Sequence, residues 1–397
     1  ELFWEELPAG SATQGVIARW LTLLPEERHL SIPQLSLARA DVAAVLDQLA
    51  LARGDELRTT RADEHANQAI TLGEHSLRFA SRVFGEAGPH GHSLWISRHG
   101  GGGAPARVND QQWRNQIGLY EPAEGIYVAP RAPTDTWNLW HEAHIDDLFD
   151  RLIENHVALE GVDPDRVYLM GYSAGGDGVY QLAPRLADRF AAAAMMAGHP
   201  NDASPLGLRN LPFMIFVGGQ DTAYDRNWVA AQWGERLAGL QAGDPGGYQH
   251  LLTVYPEKGH WMDREDRAAL PWMAAQTRDA WPRSVVWCQS TRTHSRFYWL
   301  EVDHASAHGG QVLRATVAGQ VITLDTSQAA GLKGVTLRLA DELPDLDQPI
   351  QVRVGDATVF EGRVERSVAA IHRSLQQRAD PRTVATALLD IDLPRAE

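Results

Sequence analysis

The stretch Val167-Tyr-Leu-Met-Gly-Tyr-Ser-Ala-Gly-Gly176 constrains the fold of this chain more than any other. Its apolar run, Val167 to Met170, reads as a buried strand. The run ends in Gly171-Tyr172-Ser173-Ala174-Gly175, which fits G-x-S-x-G, a sharp strand-to-helix turn with the serine at its tip. Small residues are needed beside such a turn because the backbone is strained and its two arms pass close together. The turn lifts the Ser173 hydroxyl out of the sheet and sets it at a helix N-terminus, where free N–H groups favour negative charge. In a chain with 35 glycines the pentapeptide alone says little, and the strand before it supplies the context.

From about residue 76 short apolar runs alternate with helical periodicity. The runs are Leu77–Phe84, Leu94–Ser97, Gly125–Ala129, Arg166–Met170, Ala191–Met196, Pro212–Val217 and Leu251–Tyr255. Between them, Ile145, Leu148, Phe149, Leu152 and Ile153 recur at helical spacing, as do Val179, Leu182 and Leu186, and Trp228, Val229, Trp233 and Leu237. This alternation predicts a mainly parallel sheet with helices on both faces. Ligands in such sheets bind beyond the carboxyl ends of the strands, so informative residues should follow each run.

They do. After Leu94–Ser97 comes Arg98-His99-Gly100-Gly101-Gly102-Gly103, where backbone N–H groups can approach an oxygen unhindered. Gly101 and Gly102, with the register open by one residue, and Ala174 after the serine are the expected donors of an oxyanion hole. After Pro212–Val217 comes Asp221, placed to orient a histidine; Asp225 and Asp202 are its rivals. After Leu251–Tyr255 comes His260, which completes the chain order Ser, Asp, His. His99, His141, His199 and His250 are alternatives, but none fits both order and location.

These residues resemble the α/β-hydrolase superfamily over roughly 76–283. Asp163-Pro-Asp-Arg-Val167 leading into the Ser173 turn is similar to the elbow of esterases of the dienelactone-hydrolase, feruloyl-esterase and polyhydroxybutyrate-depolymerase type. The resemblance implies Ser173 as nucleophile, His260 as base and Asp221 as orienting acid, on an open sheet with no metal or organic cofactor. Two features depart from many relatives. Four glycines are followed by Ala104-Pro105, which leaves the oxyanion donor open, and the link Gly198–Asn210 is too short for a helical cap. An uncapped cleft would admit a bulky or polymer-linked ester. A serine peptidase on the same triad is the first alternative, although no β-propeller precedes the segment. A binding protein on a hydrolase scaffold is the second.

Substrate contacts are expected from Trp137, Trp140, Tyr172, His199 and Trp261, with Trp113, Asp177 and Asn201 as further candidates. Tryptophan offers a broad flat surface to sugar or aromatic rings. Residues 1–75 read as a helical extension: Val16, Ile17, Trp20, Leu21 and Leu24, then Val42, Val45, Leu46 and Leu49, with Pro25 and Pro33 between. From 284 short strands separated by Gly and Asp turns predict a small β-sandwich through 397, with a helix at Ala369–Gln377 and a last strand at Ala385–Leu393. The expected division is therefore 1–75, 76–283 and 284–397. A net charge of −15 argues against a nucleic-acid partner, and no apolar run is long enough to span a membrane. The single cysteine, Cys288, excludes an intramolecular disulfide and a cysteine-based zinc site, and His294, His304 and His308 lack paired metal spacing. A start at Glu1 fits a removed leader and a trimmed chain alike; export is favoured over the cytoplasm. Acyl group, alcohol and oligomeric state are not encoded in any motif.

Overall fold

The computed structural model describes residues 11–22 and 35–393. Leu24, Pro25 and Pro33 lie outside the described residues. The organising layer is an eight-stranded sheet in the order β1-β2-β4-β3-β5-β6-β7-β8. Its strands are β1 (Ala69–Leu72), β2 (His75–Phe84), β3 (His92–Arg98), β4 (Gly125–Arg131), β5 (Val162–Tyr172), β6 (Ala192–Met196), β7 (Phe213–Gly218) and β8 (His250–Tyr255). All seven expected runs are strands. β1 was not anticipated; it is a four-residue edge strand inside the stretch expected to be helical, held by antiparallel pairing to β2. β2 also pairs antiparallel with β4, whereas β3 through β8 pair in parallel.

Parallel strands need crossovers, and the amphipathic segments supply them. They form α3 (Ala106–Ile117), α4 (Ala143–Glu160), α5 (Ala174–Arg185) and α6 (Arg226–Gly243). The central strands are buried along their whole length, save the first residue of β3, as expected for a sheet covered on both faces. The Gly198–Asn210 link carries one short 3-10 turn, Pro205–Asn210, and no cap helix.

At the front, α1 (Ser11–Leu21) and α2 (Arg39–Ala66) bring Ile17, Trp20, Val45 and Leu49 into one buried cluster. Val368, Ile371 and Leu375 of the late helix α8 (Val368–Gln377) belong to the same cluster; a short helix, α7 (Ala269–Ala274), precedes it in the chain. The C-terminal residues build two further sheets. One runs β16-β15-β13-β12-β9 and the other β10-β11-β14-β17. Their strands are β9 (Ser284–Cys288), β10 (Arg296–Phe297), β11 (Leu300–Glu301), β12 (Val312–Ala318), β13 (Val321–Gln328), β14 (Gly334–Leu339), β15 (Ile350–Val354), β16 (Ala357–Gly362) and β17 (Ala387–Asp392). Pairing is antiparallel except between β13 and β15. Trp287, Phe297 and Leu300 share one continuous buried cluster with Tyr180 and Leu186 of the first sheet's helical layer. Among the described residues no helix is long and apolar enough to cross a membrane.

Candidate active site

β5 ends at Tyr172 and α5 starts at Ala174, so Ser173 occupies the whole turn. Its φ of 57° is a left-handed value that a side chain adopts only at a cost. The turn survives because its neighbours are small. A Cβ at Gly175 would collide with the Arg98 carbonyl oxygen, and one at Gly171 with the Gly175 carbonyl oxygen. Main-chain bonds fasten the turn: Ser173 N–H donates to Met196 O at 2.9 Å, and Asp177 N–H to Ser173 O at 2.9 Å.

The tips of three strands bring the expected polar residues together. Ser173 Oγ lies 2.9 Å from His260 Nε2, and His260 Nδ1 lies 2.8 Å from Asp221 Oδ2. The carboxylate fixes the tautomer: Nδ1 carries the proton that Asp221 accepts, which leaves Nε2 to accept from the serine hydroxyl. Asp221 is 2 % exposed, while Asp225 and Asp202 are exposed and have no described contact with the imidazole. Asp221 is held by its own backbone, with its N–H on Gly218 O at 3.0 Å and its carbonyl accepting from Asn227 at 3.0 Å. The loop carrying His260 is clamped from two sides. Tyr172 Oη donates to His260 O at 2.7 Å and accepts from Met262 N–H at 3.0 Å. Lys258 Nζ pairs with Asp263 at 2.8 Å and Glu265 at 2.9 Å.

The glycine run folds back over the turn, with φ positive at Gly101, Gly102 and Gly103. His99, fully buried, donates from Nδ1 to Gly100 O at 2.6 Å and accepts the Ala132 N–H at Nε2, 3.2 Å away. Burial pulls its pKa down to about 4, which suits a ring that must keep one lone pair free. His99 therefore pins the loop. Gly102 N–H is already donated to Asn109 Oδ1 at 2.8 Å. This corrects the expectation that both glycines offer a free amide: of the two, the Gly101 N–H lacks a partner among the described hydrogen bonds, as do those of the flanking Gly100 and Gly103. Ala174 heads an α-helix, where the first N–H groups have no intrahelical acceptor.

A cleft of about 380 Å³ opens beside these groups, lined by Gly101, Gly102, Trp137, Ala174, Asp177, His199, Asn201, Tyr224 and Arg226. Trp137 and His199, both expected as substrate contacts, are among these lining residues. Trp140 does not: it is fully buried, and its indole N–H donates to His99 O at 2.9 Å. It is a core residue that ties loop to loop, so its place as a substrate wall is corrected. Tyr172 is likewise buried and spends its hydroxyl on the His260 loop. Trp113 is tied down to Ala129 O at 2.8 Å. Trp261 is half exposed beside Tyr172, with ring centroids 5.5 Å apart, and is not among the cleft-lining residues.

Tyr224 and Arg226 were missed. Tyr224 and Asp225 both have left-handed backbones, which swing Tyr224 out to 78 % exposure and turn Arg226 inward. No periodicity marks such a double turn. The Arg226 guanidinium lies 4.0 Å from Asp221 and 4.8 Å from the Tyr224 ring, with Nε unpartnered. Asp177 accepts the His199 N–H at 2.6 Å, and burial raises its carboxyl pKa against the pull of Arg226. Cationic Arg226 thus sits between two carboxyl groups, Asp221 and Asp177, in a cleft with aromatic faces at Trp137 and Tyr224. Among the described residues no cluster of His, Cys, Asp or Glu could hold a metal ion.

No curated protein sequence matches the chain. Solved structures align over about half of it. A thermostable esterase superposes with a TM-score of 0.39 at 19% identity, over 53% of this chain and 62% of that one. A poly(3-hydroxybutyrate) depolymerase from Bordetella parapertussis gives 0.40 at 20% identity, over 52% and 87%. A ferulic acid esterase gives 0.33 at 15% identity, over 52% and 96%. The family match runs from Val128 in β4 to Thr291, so it contains Ser173, Asp221 and His260 but begins after the glycine run. That segment, residues 128–291, is similar to the dienelactone hydrolase family of α/β-hydrolases.

Proposed function

We propose that this protein hydrolyses carboxylic esters through an acyl-enzyme on Ser173, with His260 as base and Asp221 as orienting acid. The observation that carries the reading is the unbroken relay of two contacts, 2.9 and 2.8 Å, from hydroxyl through imidazole to a buried carboxylate. As Ser173 Oγ attacks an ester carbonyl, His260 Nε2 takes its proton and Asp221 stabilises the imidazolium. The developing oxyanion is held by the Gly101 and Ala174 N–H groups; one preorganised donor of this kind is worth about 3 kcal/mol. The imidazolium then protonates the leaving alcohol. Water, deprotonated by the same His260, releases the acid.

The cleft suggests the kind of ester. Its charges are close to balanced, its hydrogen-bonding groups include both donors and acceptors, and two aromatic faces flank them. Such a lining suits a ring-bearing group with hydroxyls better than a plain alkyl chain. With only a short link after β6 and no cap helix there, the cleft is open to an ester on a larger molecule. We read residues 76–283 as the catalytic module and 1–75 and 284–397 as flanking modules.

The test is turnover of 4-nitrophenyl butyrate beside an aminoacyl 4-nitroanilide, with wild type and Ser173→Ala. The expected outcome is ester hydrolysis with an inert anilide, and a kcat lower by about 10⁴-fold or more in the variant. Anilide turnover would make the protein a peptidase on the same triad. Ester turnover that survives in Ser173→Ala would remove the reading altogether.

A further inference from the structure

The loop that follows β9, residues 289–295, leaves the C-terminal sheets and reaches the two loops that carry the cleft's outer wall. It is a built loop. The Gln289 side chain, 5 % exposed, spans it by donating to His294 O at 2.7 Å and accepting the His294 N–H at 2.9 Å. Ser290 Oγ closes its middle, donating to Arg292 O at 2.8 Å and accepting the Arg292 N–H at 3.1 Å.

Three side chains project from this frame into the catalytic layer. Arg292 Nε donates to the His141 carbonyl at 2.7 Å. Thr291 Oγ1 donates to Asp202 Oδ2 at 3.4 Å. His294 Nε2 stands 2.9 Å from Asp146 Oδ2, off-axis for a hydrogen bond. Two of these partners, His141 and Asp202, sit beside cleft residues. The His141 ring meets the exposed Trp137 edge-on, with centroids 5.5 Å apart. Asp202 follows Asn201 and His199, and its other oxygen accepts from Gln181 at 2.8 Å. The residues around Trp137, 132–141, form a loop without regular structure; Ala132, Asp135 and Trp140 are tied to His99, Arg131 and Asn109, but no described hydrogen bond reaches the Trp137 side chain.

We infer that the C-terminal part of the chain is a working component of the active site: the 289–295 loop, with Arg292 as a positioning residue, braces the Trp137 and His199–Asn201 walls and so sets which esters the cleft accepts. Arg292 is not among the cleft-lining residues, and it acts through the His141 carbonyl. A guanidinium that caps this carbonyl from outside joins Arg185, whose two Nη atoms approach the same oxygen at 3.5 Å from within. Without Arg292 the carbonyl keeps only those long contacts, and the Trp137 loop gains freedom. A substrate that leans on Trp137 then binds less well, while one too small to reach it is indifferent.

The inference rests on the proposed esterase reading, so its test has one arm that needs activity and one that does not. The activity arm compares methyl acetate with methyl 4-hydroxycinnamate for wild type, Arg292→Ala, Arg292→Lys and Thr291→Val. In Arg292→Ala the KM for the cinnamate should rise five- to twentyfold, with kcat within twofold and methyl acetate unaffected. Lysine can still donate to the carbonyl and should recover most of the loss. Equal effects on both esters, no change in the cinnamate KM, or a lysine variant no better than alanine would overturn the inference. The second arm is amide hydrogen exchange. Residues 132–142 should exchange at least threefold faster in Arg292→Ala, with the central strands unchanged; an unchanged loop would overturn the inference even where wild type hydrolysed neither ester. Thr291→Val, milder by design, should speed exchange over 199–204 alone and keeps the test open should Arg292→Ala not fold.

Discussion

At the scale of single residues, histidine shows how one side chain takes different tasks from its surroundings. His260 sits half open to solvent between a hydroxyl and a carboxylate, while His99 is sealed beneath the glycine loop and works as a rivet. His156 is a second sealed ring, donating from Nδ1 to Leu152 O at 2.7 Å with Nε2 unpartnered. Burial pulls its pKa from 6.5 down to about 4. A folded state that resists protonation binds fewer protons than the unfolded chain between these values. Its contribution is therefore fully present above pH 6.5 and is lost as pH falls toward 4, by on the order of 3 kcal/mol. Urea unfolding across that window should show a shallower loss of stability in His156→Gln than in wild type. Parallel curves would mean that the ring is not buried neutral.

At the scale of elements, the Ser173 turn depends on the approach of a helix to a strand. Gly175 lies where α5 passes the end of β3, and an added Cβ would meet the Arg98 carbonyl oxygen. That oxygen is main chain and cannot rotate away. Gly175→Ala should cost about 3 kcal/mol or more of stability, from overpacking, and should lower kcat as the turn shifts. Gly239 in α6 is the internal control. It is exposed, and nothing lies within 4 Å of its missing Cβ. Gly239→Ala should be neutral or stabilising by up to about 1 kcal/mol, since only helix propensity changes. Thermal and urea melts of the pair would separate close approach from backbone flexibility; equal shifts would defeat the packing account.

At the scale of the whole molecule, buried ion pairs hold the late chain against the eight-stranded sheet and its helices. Arg278 Nη1 donates to Asp380 at 2.8 Å and its Nη2 to Asp165 at 2.7 Å, with all three carriers far apart in sequence. Arg378 pairs with Asp188 at 2.5 Å, and Ala379 N–H donates to Glu154 at 3.0 Å. Such pairs add little over a well-packed apolar contact, but removing one partner strands the other. Asp380→Asn should therefore cost about 3–5 kcal/mol at neutral pH. Burial works against the Asp380 carboxylate, but Arg278 and Arg189 overcome it and hold its pKa well below the ordinary value of 3.8. Its contribution is present above that value and is lost in more acid solution. The gap in unfolding free energy between wild type and Asp380→Asn should accordingly be widest near neutrality and shrink below about pH 4. A gap that does not vary with pH would show that charge is not what the variant removes.

The alternation of apolar runs and helical segments was enough to predict the first sheet, because parallel strands covered on both faces must be continuously apolar and must be linked by helices. Ser173, Asp221 and His260 were legible for the same reason: each follows a readable strand, and strand ends in such a sheet converge. β1 and β9 were not legible, since a four-residue edge strand and a short strand after a proline carry too little pattern of their own. Trp137 and Trp140 look alike in sequence, three positions apart, yet one is exposed in the cleft and the other is core. The Gly102 amide looked as available as that of Gly101 until Asn109, seven residues on, was seen to occupy it. Local pattern determined which strands form and where the chemistry hangs. Which amides stay free, which tryptophan faces the cleft and what the 289–295 loop leans on were decided by contacts between distant segments, and no local period records those.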